Sequence, residues 1–370
     1  MINNSKLTYQ ASGVDYNVLD PVKILAQTKA RETGNNLAGT AFAEVPESRG
    51  ESAHVVDCGG FYLASITECL GTKVLVADAT RKITGKTYYD LIAQDTIACA
   101  VNDVITVGAK PLTVHAYWAA GSAKWFDDSQ KVADLINGWK KTCGHIGAIW
   151  GGGETPVLQG IVSPDAIDLA ASCVGIIKPK DRLVLGKNLQ DGDVIIALES
   201  IGIQSNGVSL ARKLAAELPD GYGARLPDGT LYGEALLKPT LLYSPVIEAI
   251  QNANIKIHYI SNITGHGWRK IMRHSSSFTY RITYLPPAPP VLDFIVKQGK
   301  LDLAEAYSTF NMGIGFAIFT APKDAKQVAG ISQSLGIKAY QIGVVERGEK
   351  KVCLEPLKIT FEKEALKLRD

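Results

Sequence analysis

The sequence predicts an α/β protein of two domains, and three observations support that fold class. The chain has 370 residues, which is more than a single hydrophobic core usually organises. A strand, a glycine-containing turn and a helix recur in both halves, as is typical of α/β proteins. A polar and charged segment at residues 178–192 separates the halves. We therefore expect an N-terminal domain at residues 1–180 and a C-terminal domain at residues 181–370.

The N-terminal half begins with a predicted helix at residues 17–37. The following stretch, residues 39–60, mixes proline, glycine and charged residues, which predicts a loop. Apolar residues predict strands at residues 61–67 and 73–77, on either side of a glycine-containing turn. A strand at residues 167–177 closes this half.

Two amphipathic helices are predicted between these strands. Apolar residues follow the 3.6-residue period at residues 89–107. Within that helix, Asp95 and Asn102 stand seven residues apart, so both should lie on nearly the same face. The second helix follows Asp128 and Ser129, because these side chains can accept hydrogen bonds from the first free N–H groups of a helix.

The most informative local pattern is an apolar run at residues 146–150 that ends in Gly151-Gly152-Gly153-Glu154-Thr155. Three successive glycines suit a backbone that bends unusually or lets a ligand approach closely. The pattern predicts a strand that ends in an open turn, with Glu154 placed to hold a metal.

The C-terminal half is predicted to open with a strand at residues 194–198. A turn at residues 202–207 and a helix through Leu210 and Leu214 follow. Two further glycine-spaced polar turns lie beside apolar runs at residues 263–267 and 309–315.

Composition excludes several classes of protein. The formal net charge is +2 and no basic block is present, so the sequence lacks the footprint of a nucleic-acid binder. No apolar run is long enough to span a bilayer, and we expect a soluble, cytoplasmic protein. The six cysteines are widely spaced and form no zinc-ligand pattern, so they are interpreted as reduced packing residues.

Acidic and amide side chains beside glycine turns indicate a magnesium polyphosphate site. Mg²⁺ prefers oxygen ligands and is commonly held by one or two carboxylates together with phosphates and water. Each residue alone is compatible with a solvated or structural role, but the set favours ligand binding. Its members are Glu68, Asp95, Asn102, Asp103 and Glu154.

Three polar turns are candidate anion sites. Gly71-Thr72-Lys73 offers a glycine, a hydroxyl and a cation, without the upstream glycine spacing of a Walker loop. Ser205-Asn206-Gly207 opens a helix, where free N–H groups favour a phosphate, although it could equally be a plain helix cap. His266, between two glycines, could bind phosphate or act as a general base, and a structural role is the alternative.

These motifs, in this order, resemble the aminoimidazole ribonucleotide synthetase family, also called phosphoribosylformylglycinamidine cyclo-ligase. The resemblance covers nearly the whole chain. It rests on motifs that are short individually but numerous and similarly ordered: Tyr9-Gln10-Ala11-Ser12-Gly13-Val14-Asp15, Gly71-Thr72-Lys73, Asp95-x6-Asn102-Asp103, Gly152-Gly153-Glu154-Thr155, Asp168 with Cys173-Val174-Gly175, Ser205-Asn206-Gly207, Pro239-Thr240, Ile263-Thr264-Gly265 and Phe310-Asn311-x-Gly313-x-Gly315.

The resemblance implies a fold and a reaction. It implies two α/β domains, the first contributing a half-barrel sheet to a homodimer in which an ATP cleft is completed between subunits. It also implies an ATP-dependent ring closure of formylglycinamidine ribonucleotide in purine biosynthesis. In that reaction the formamide oxygen is phosphorylated, a neighbouring nitrogen attacks the same carbon, and phosphate leaves.

The resemblance also implies roles for the residues. Glu68, Asp95 and Glu154 are expected to hold Mg²⁺, with the glycine turn Gly152, Gly153 and Thr155 around them. Thr72 and Lys73, with Gly71, are expected to face the phosphates of ATP. Asn102 and Asp103 are expected to orient the nucleotide or the amidine, and Ser205, Asn206 and Gly207 to take a phosphate of the ribonucleotide. His266 is included among the catalytic candidates.

The chain departs from the family pattern at several positions, including a glycine lost at Cys69 and a replaced loop at residues 41–50. Glu68 stands where the family usually has aspartate, Gln204 where it has histidine, and His266 where it has glycine. These changes keep two alternatives open. One is a small-molecule kinase of the same superfamily, and the other is a non-catalytic nucleotide-binding paralogue.

Overall fold

Two β-sheets, each with helices packed against it, form the computed structural model, which describes Gly13 and residues 15–366. The remaining residues of the N-terminal motif at positions 9–15 lie outside the described part. Strands up to residue 177 belong to the first sheet and strands from residue 194 onward belong to the second. Residues 178–193 connect the sheets, in the segment where the sequence predicts the domain boundary.

The first sheet has six strands in the order β1-β2-β3-β6-β4-β5. All neighbours are antiparallel except β4 and β5, which are parallel. The strands are β1 (Ala43–Glu44), β2 (His54–Asp57), β3 (Tyr62–Cys69), β4 (Lys110–Ala120), β5 (Ile149–Glu154) and β6 (Ile167–Ile177).

Four helices belong to the N-terminal half: α1 (Tyr16–Glu32), α2 (Lys73–Thr84), α3 (Tyr89–Val104) and α4 (Ser129–Ile146). The predicted helices at residues 17–37 and 89–107 are confirmed, each ending in a short 3₁₀ segment. Asp128 caps α4 as expected, since its carboxylate accepts from the N–H of Lys131.

The strand predicted at residues 73–77 is wrong, because α2 begins at Lys73. Its buried residues Val74, Ala77 and Thr80 repeat every three positions, which is the spacing of one helix face. A short apolar run does not distinguish a buried strand from a helix. The predicted loop at residues 39–60 also contains two short strands, β1 and β2.

The glycines at 151–153 lie within β5 instead of in a turn after it. Alternating apolar residues on β3 and β6 pack against α3, which is buried along most of its length. The strand predicted at residues 167–177 is confirmed as β6.

The second sheet has seven strands in the order β13-β12-β9-β11-β7-β10-β8. They are antiparallel except for β12 and β9. The strands are β7 (Val194–Glu199), β8 (Ile257–Asn262), β9 (Phe278–Ile282), β10 (Ile314–Thr320), β11 (Ala339–Arg347), β12 (Lys351–Leu354) and β13 (Ile359–Glu362).

Six helices accompany the second sheet, and α5 follows β7 as the sequence predicts. They are α5 (Val208–Glu217), α6 (Tyr232–Leu236), α7 (Ser244–Asn252), α8 (Pro290–Gln298), α9 (Leu303–Thr309) and α10 (Ala325–Ser334). In the part of the chain that the structure describes, no helix combines the length and apolar character needed to cross a membrane.

One face of α3 joins the two halves. Gln94 donates to the carbonyl of Thr240 at 2.8 Å, and Asn102 donates to the carbonyl of Leu241 at 2.9 Å. These side chains therefore dock α3 on the C-terminal segment before α7. This contact places the ends of β3 and α3 opposite the loops of the second sheet.

Candidate functional site

A cavity of about 350 Å³ lies where the two halves meet. Its walls come from α1, the end of β3, α3, and loops of the C-terminal half. The polar and charged lining side chains are Lys23, Gln27, Glu51, Ser52, Glu68, Cys69, Cys99, Asp103, Ser205, Asn206, Thr264, His266, Lys270 and Arg273.

Two of the predicted acids, Glu68 and Asp103, line this cavity together. Glu68 is near the end of β3, and Asp103 is in the last turn of α3. Burial and the charge of Asp103 raise the pKa of Glu68 to about 7, against the effect of nearby cations. Asn262 donates to Asp103 at 2.8 Å and so fixes that carboxylate from the second sheet.

This pair suits a divalent cation. Two neighbouring carboxylates repel each other, and a cation between them lowers that repulsion. Among the residues described here, no cluster of three or more His, Cys, Asp or Glu side chains has metal-binding geometry. Mg²⁺ does not need such a cluster, because phosphates and water supply its other ligands.

Asp95 lies outside the cavity, which corrects the expectation that the predicted acids form one cluster. Its side chain is fully buried and its Oδ2 is 2.7 Å from the Nζ of Lys73. Its Oδ1 accepts from the backbone N–H and the hydroxyl of Thr240, at 2.7 and 2.6 Å. The carboxylate is thus occupied by an ion pair and an interdomain contact.

Lys73 is equally occupied. Besides the ion pair with Asp95, its ammonium donates to the carbonyl of Gln204 at 2.7 Å and to that of Lys238 at 3.3 Å. The side chain is fully buried and does not line the cavity. Gly71 has φ +74° and Thr72 precedes the first residue of α2, so this turn starts a helix between the two halves. This geometry does not support phosphate binding by Gly71-Thr72-Lys73, because the ammonium of Lys73 is paired and does not reach the cavity.

Asn102 is also part of the interdomain contact. Its amide group donates to the carbonyl of Leu241, and its oxygen accepts from the N–H of Tyr243 at 3.2 Å. It is buried and does not line the cavity. Asn102 and Asp103 are adjacent in sequence but have different surroundings: Asn102 lies in the interdomain contact, and Asp103 lines the cavity.

Glu154 lies far from Glu68 within one chain. In the register of the sheet, Glu68 pairs with Ala171, Ala171 with Ala116, and Ala116 with Gly153. Three strand spacings separate these positions, or about 14 Å. Gly152, Gly153, Glu154 and Thr155 are exposed at the edge formed by β5, so one chain does not bring Glu154 to the cavity.

Ser205 and Asn206 line the cavity, directly before α5. Gly207 has φ +76°, and a Cβ there would lie 2.3 Å from the ring of Phe310, so glycine is required. The predicted turn at residues 205–207 thus leads from the cavity wall into α5, whose first N–H groups have no partner within the helix.

His266 lines the cavity with an unusual backbone, φ +71°. Its Nε2 is 3.2 Å from Oδ2 of Asp20, a buried residue of α1. Burial, with the charges of Lys270, Arg269 and Lys23, lowers the pKa of His266 to about 2. The ring is therefore neutral and ties α1 to the C-terminal half.

Sequence reasoning missed the basic residues of the cavity, Lys270 and Arg273. Both follow the turn at His266. Lys270 lies in the 3₁₀ segment Gly267–Met272, and Arg273 is the next residue after that segment. Arg273 donates to the carbonyl of Gly50 at 2.9 Å and to Ser52 at 2.9 Å, which holds that loop over the cavity. Two cations three residues apart after a glycine turn were the available signal.

The cysteines at the cavity are not activated. Burial and the charge of Glu68 raise the pKa of Cys69, and burial raises the pKa of Cys99 further. A thiol with a raised pKa is a poor nucleophile at neutral pH. Neither thiol is therefore set up as a nucleophile, although Cys69 is exposed and is not a packing residue.

Comparison with known proteins gives the family. Residues 50–177 match the family model described as AIR synthase related protein, N-terminal domain, and residues 190–354 match the C-terminal domain of the same family. The chain belongs to the AIR synthase related family. The cavity lies between the two family domains, since Glu68 and Asp103 come from the first and Ser205 and Lys270 from the second.

Relatives within the AIR synthase related family are similar over their whole length. The chain is 34% identical to a phosphoribosylformylglycinamidine cyclo-ligase of Methanococcus maripaludis, covering 92% of each chain. It is 34% identical to one of Carboxydothermus hydrogenoformans, covering 94% of this chain and 99% of that one.

Solved structures of the AIR synthase-like fold agree at lower identity. Hydrogenase maturation protein HypE in complex with ATP has a TM-score of 0.60 at 16% identity, covering 83% of this chain and 87% of that one. AaThiL complexed with AMPPCP and TMP has a TM-score of 0.58 at 16% identity, covering 85% and 90%. These similarities establish the fold.

Proposed function

We propose that this protein closes the imidazole ring of aminoimidazole ribonucleotide from formylglycinamidine ribonucleotide, with conversion of ATP to ADP and phosphate. The single observation that carries the proposal is 34% identity to cyclo-ligases over 92% of the chain. The cavity adds chemical support, because it combines carboxylates, a helix start and a buried cation at the domain junction.

The reaction needs two steps. The formamide oxygen first accepts the γ-phosphoryl group of ATP, and ADP leaves. The neighbouring amidine nitrogen then attacks the same carbon; its C–N bond forms as the C–O bond to phosphate breaks, and the nitrogen loses a proton. Positioning and charge neutralisation dominate such phosphoryl transfers.

The residues of the cavity have corresponding roles. Glu68 and Asp103 would hold Mg²⁺, which would neutralise phosphate charge. Ser205, Asn206 and the first N–H groups of α5 would bind phosphate oxygens. Asp20 and His266 would hold α1 across the cavity and so limit the access of water to the phosphorylated amide.

The direct test is to incubate the purified protein with formylglycinamidine ribonucleotide, ATP and Mg²⁺ and to measure aminoimidazole ribonucleotide. Formation of that product in proportion to ADP would support the proposal. Production of ADP with another small-molecule acceptor, but not with this ribonucleotide, would favour the kinase alternative. Nucleotide binding without ADP production would favour the non-catalytic alternative.

We also infer a homodimer in which Glu154 serves the site of the other subunit. The edge strand β5 leaves backbone groups unpaired and exposes Ile149 by 69%, and Ile161 nearby by 81%. A long apolar edge strand favours pairing with another chain. Glu154 lies on that edge, about three strand spacings from Glu68.

Subunit complementation tests this arrangement. Glu68→Gln and Glu154→Gln variants should each be inactive alone. After unfolding and refolding together in equal amounts, they should recover about a quarter of the activity, because half of the dimers are mixed and each contains one intact site. If Glu154 serves its own subunit, the mixture stays inactive. Light scattering that finds only monomers would also exclude the arrangement.

A further inference from the structure

Lys270 is a buried cation that forms no ion pair within 4.0 Å in the part of the chain that the structure describes, although the carboxylates of Glu68 and Asp103 lie close enough to act on its charge. Its exposed fraction is 7%, and it lines the cavity. Its ammonium donates to the hydroxyl of Thr264, and no described carboxylate lies within 4.0 Å of it. Burying an unpaired charge is costly, so such a group usually awaits a ligand of opposite charge.

The other cations near the cavity are already engaged, and Lys23 at its rim lies 3.5 Å from Asp20. Lys73 is neutralised by Asp95 and hidden from the cavity. Arg273 is bound to the loop of Gly50 and Ser52. Lys270 has three N–H donors and uses one on Thr264, so donors remain for a bound anion.

A second donor set lies on another wall of the same cavity. The Oγ atom of Ser205 is buried, and its one neighbouring group of hydrogen-bonding type among the described residues is the weakly bonding thiol of Cys99. It directly precedes the start of α5, a ten-residue helix whose N-cap, Gly207, offers no side-chain acceptor. The free N–H groups of that first turn and the helix dipole also favour an anion.

We propose that Lys270 and Ser205, with the first turn of α5, form an oxyanion subsite for a phosphate group. This proposal rests on the proposed function and refines it, because it moves the phosphate-binding cation from Lys73 to Lys270. The same chemistry could come from the polyphosphate of ATP or from the 5′-phosphate of the ribonucleotide. Glu68 and Asp103 line the same cavity, so a divalent cation beside the phosphate would balance their charge.

The test uses binding without turnover, so that it can fail independently of the cyclo-ligase assay. Calorimetric titrations of the full-length protein with Mg²⁺–ADP and with ribose 5-phosphate would measure the two sources of phosphate separately. The variants are Lys270→Met, which keeps length and removes charge, and Lys270→Arg, which keeps charge. Lys140→Met, on the exposed face of α4, controls for the loss of one surface charge.

Lys270→Met should weaken binding of at least one probe about 10- to 100-fold, as expected for a charge-assisted hydrogen bond. Lys270→Arg should retain most of the affinity, and Lys140→Met should match the wild type. The melting temperature of Lys270→Met should be close to that of the wild type, because Lys270 forms no ion pair within 4.0 Å whose loss would destabilise the fold. A merely structural lysine would lower it.

The affected probe identifies the source of the phosphate. Loss for Mg²⁺–ADP alone assigns the subsite to ATP, and loss for ribose 5-phosphate alone assigns it to the ribonucleotide. The proposal is overturned if Lys270→Met binds both probes as tightly as the wild type. It is also overturned if the wild type binds neither probe, or if Lys270→Met lowers the melting temperature and Lys270→Arg restores neither stability nor binding.

Discussion

Two buried lysines of this chain, Lys73 and Lys270, differ in the groups that surround their ammonium groups. Lys73 lies 2.7 Å from Asp95 and donates to two carbonyls, so its charge is fully compensated inside the protein. Lys270 lines the cavity with only the hydroxyl of Thr264 as a described hydrogen-bond partner. The comparison teaches that a lysine in a close ion pair joins the domains, whereas a buried lysine beside a cavity with unused N–H donors is available to a ligand.

Breaking the Lys73–Asp95 pair should have the largest effect on stability. Lys73→Met leaves a fully buried carboxylate without its partner, and loss of one member of a buried pair costs about 3–5 kcal/mol. Calorimetry should show a much lower melting temperature. The folded protein should still bind Mg²⁺–ADP.

A double variant, Lys73→Met with Asp95→Leu, is the matched control. Replacing both charges with apolar groups removes the uncompensated carboxylate, so much of the stability should return. A Lys73→Met variant of normal stability that no longer binds nucleotide would instead make Lys73 a phosphate ligand, as the family resemblance implies.

Substitution of Glu68 in the cavity should lower activity without lowering stability, which is the reverse of the effect expected for Lys73→Met. Glu68→Gln removes a candidate metal ligand and should lower the rate of product formation about 100-fold, the usual loss for one charge-stabilising group. Stability should not fall, because burial and Asp103 already disfavour the Glu68 carboxylate. The measurements are the steady-state rate at several Mg²⁺ concentrations and the melting temperature.

Glu217→Gln, an exposed substitution in the last turn of α5, is the control for loss of one negative charge. Normal activity in Glu68→Gln at every Mg²⁺ concentration would remove Glu68 from the site.

The smallest expected effect concerns pH. The pKa of His266 is lowered to about 2 in the folded state, against an unfolded value near 6.5, by burial and by the cations Lys270, Arg269 and Lys23. A hydrogen bond to the backbone of Gly265 opposes this shift. Between these pH values His266 binds a proton in the unfolded chain but not in the folded protein. The contribution of His266 to the free energy of unfolding is therefore fully present above pH 6.5 and is lost as the pH falls toward 2.

His266→Asn suits this test, because asparagine tolerates the positive φ found there. Its unfolding free energy should depend less on pH between 4 and 6, by up to about 1.4 kcal/mol per pH unit. The unfolding free energies are measured by denaturant titration at each pH. If they depend on pH equally in the variant and the wild type, His266 is protonated in the folded protein.

Local signals in the sequence were sufficient for much of the fold. Strand β6 and helix α3 have long, regular apolar patterns. Asp128 is a residue type that commonly caps a helix N-terminus, and it caps α4. Residues 73–77 were interpreted wrongly because five mostly apolar residues do not determine a period.

The candidate site was predicted only in part, for a physical reason. Sequence identifies acids and cations but not which of them face each other after folding. Asp95 meets Lys73 across the domain contact, whereas Asp103, eight residues later, faces the cavity. Lys270 belongs to the cavity because it is buried there and forms no close ion pair, and neither property can be read from local sequence.

The most direct measurement is a crystal structure of the protein with Mg²⁺ and a non-hydrolysable ATP analogue. We expect the metal on the carboxylates of Glu68 and Asp103, inside the cavity between the two domains, with Lys73 and Asp95 still paired. A metal and triphosphate bound elsewhere, or a Lys73 released from Asp95 to contact the phosphates, would contradict this account.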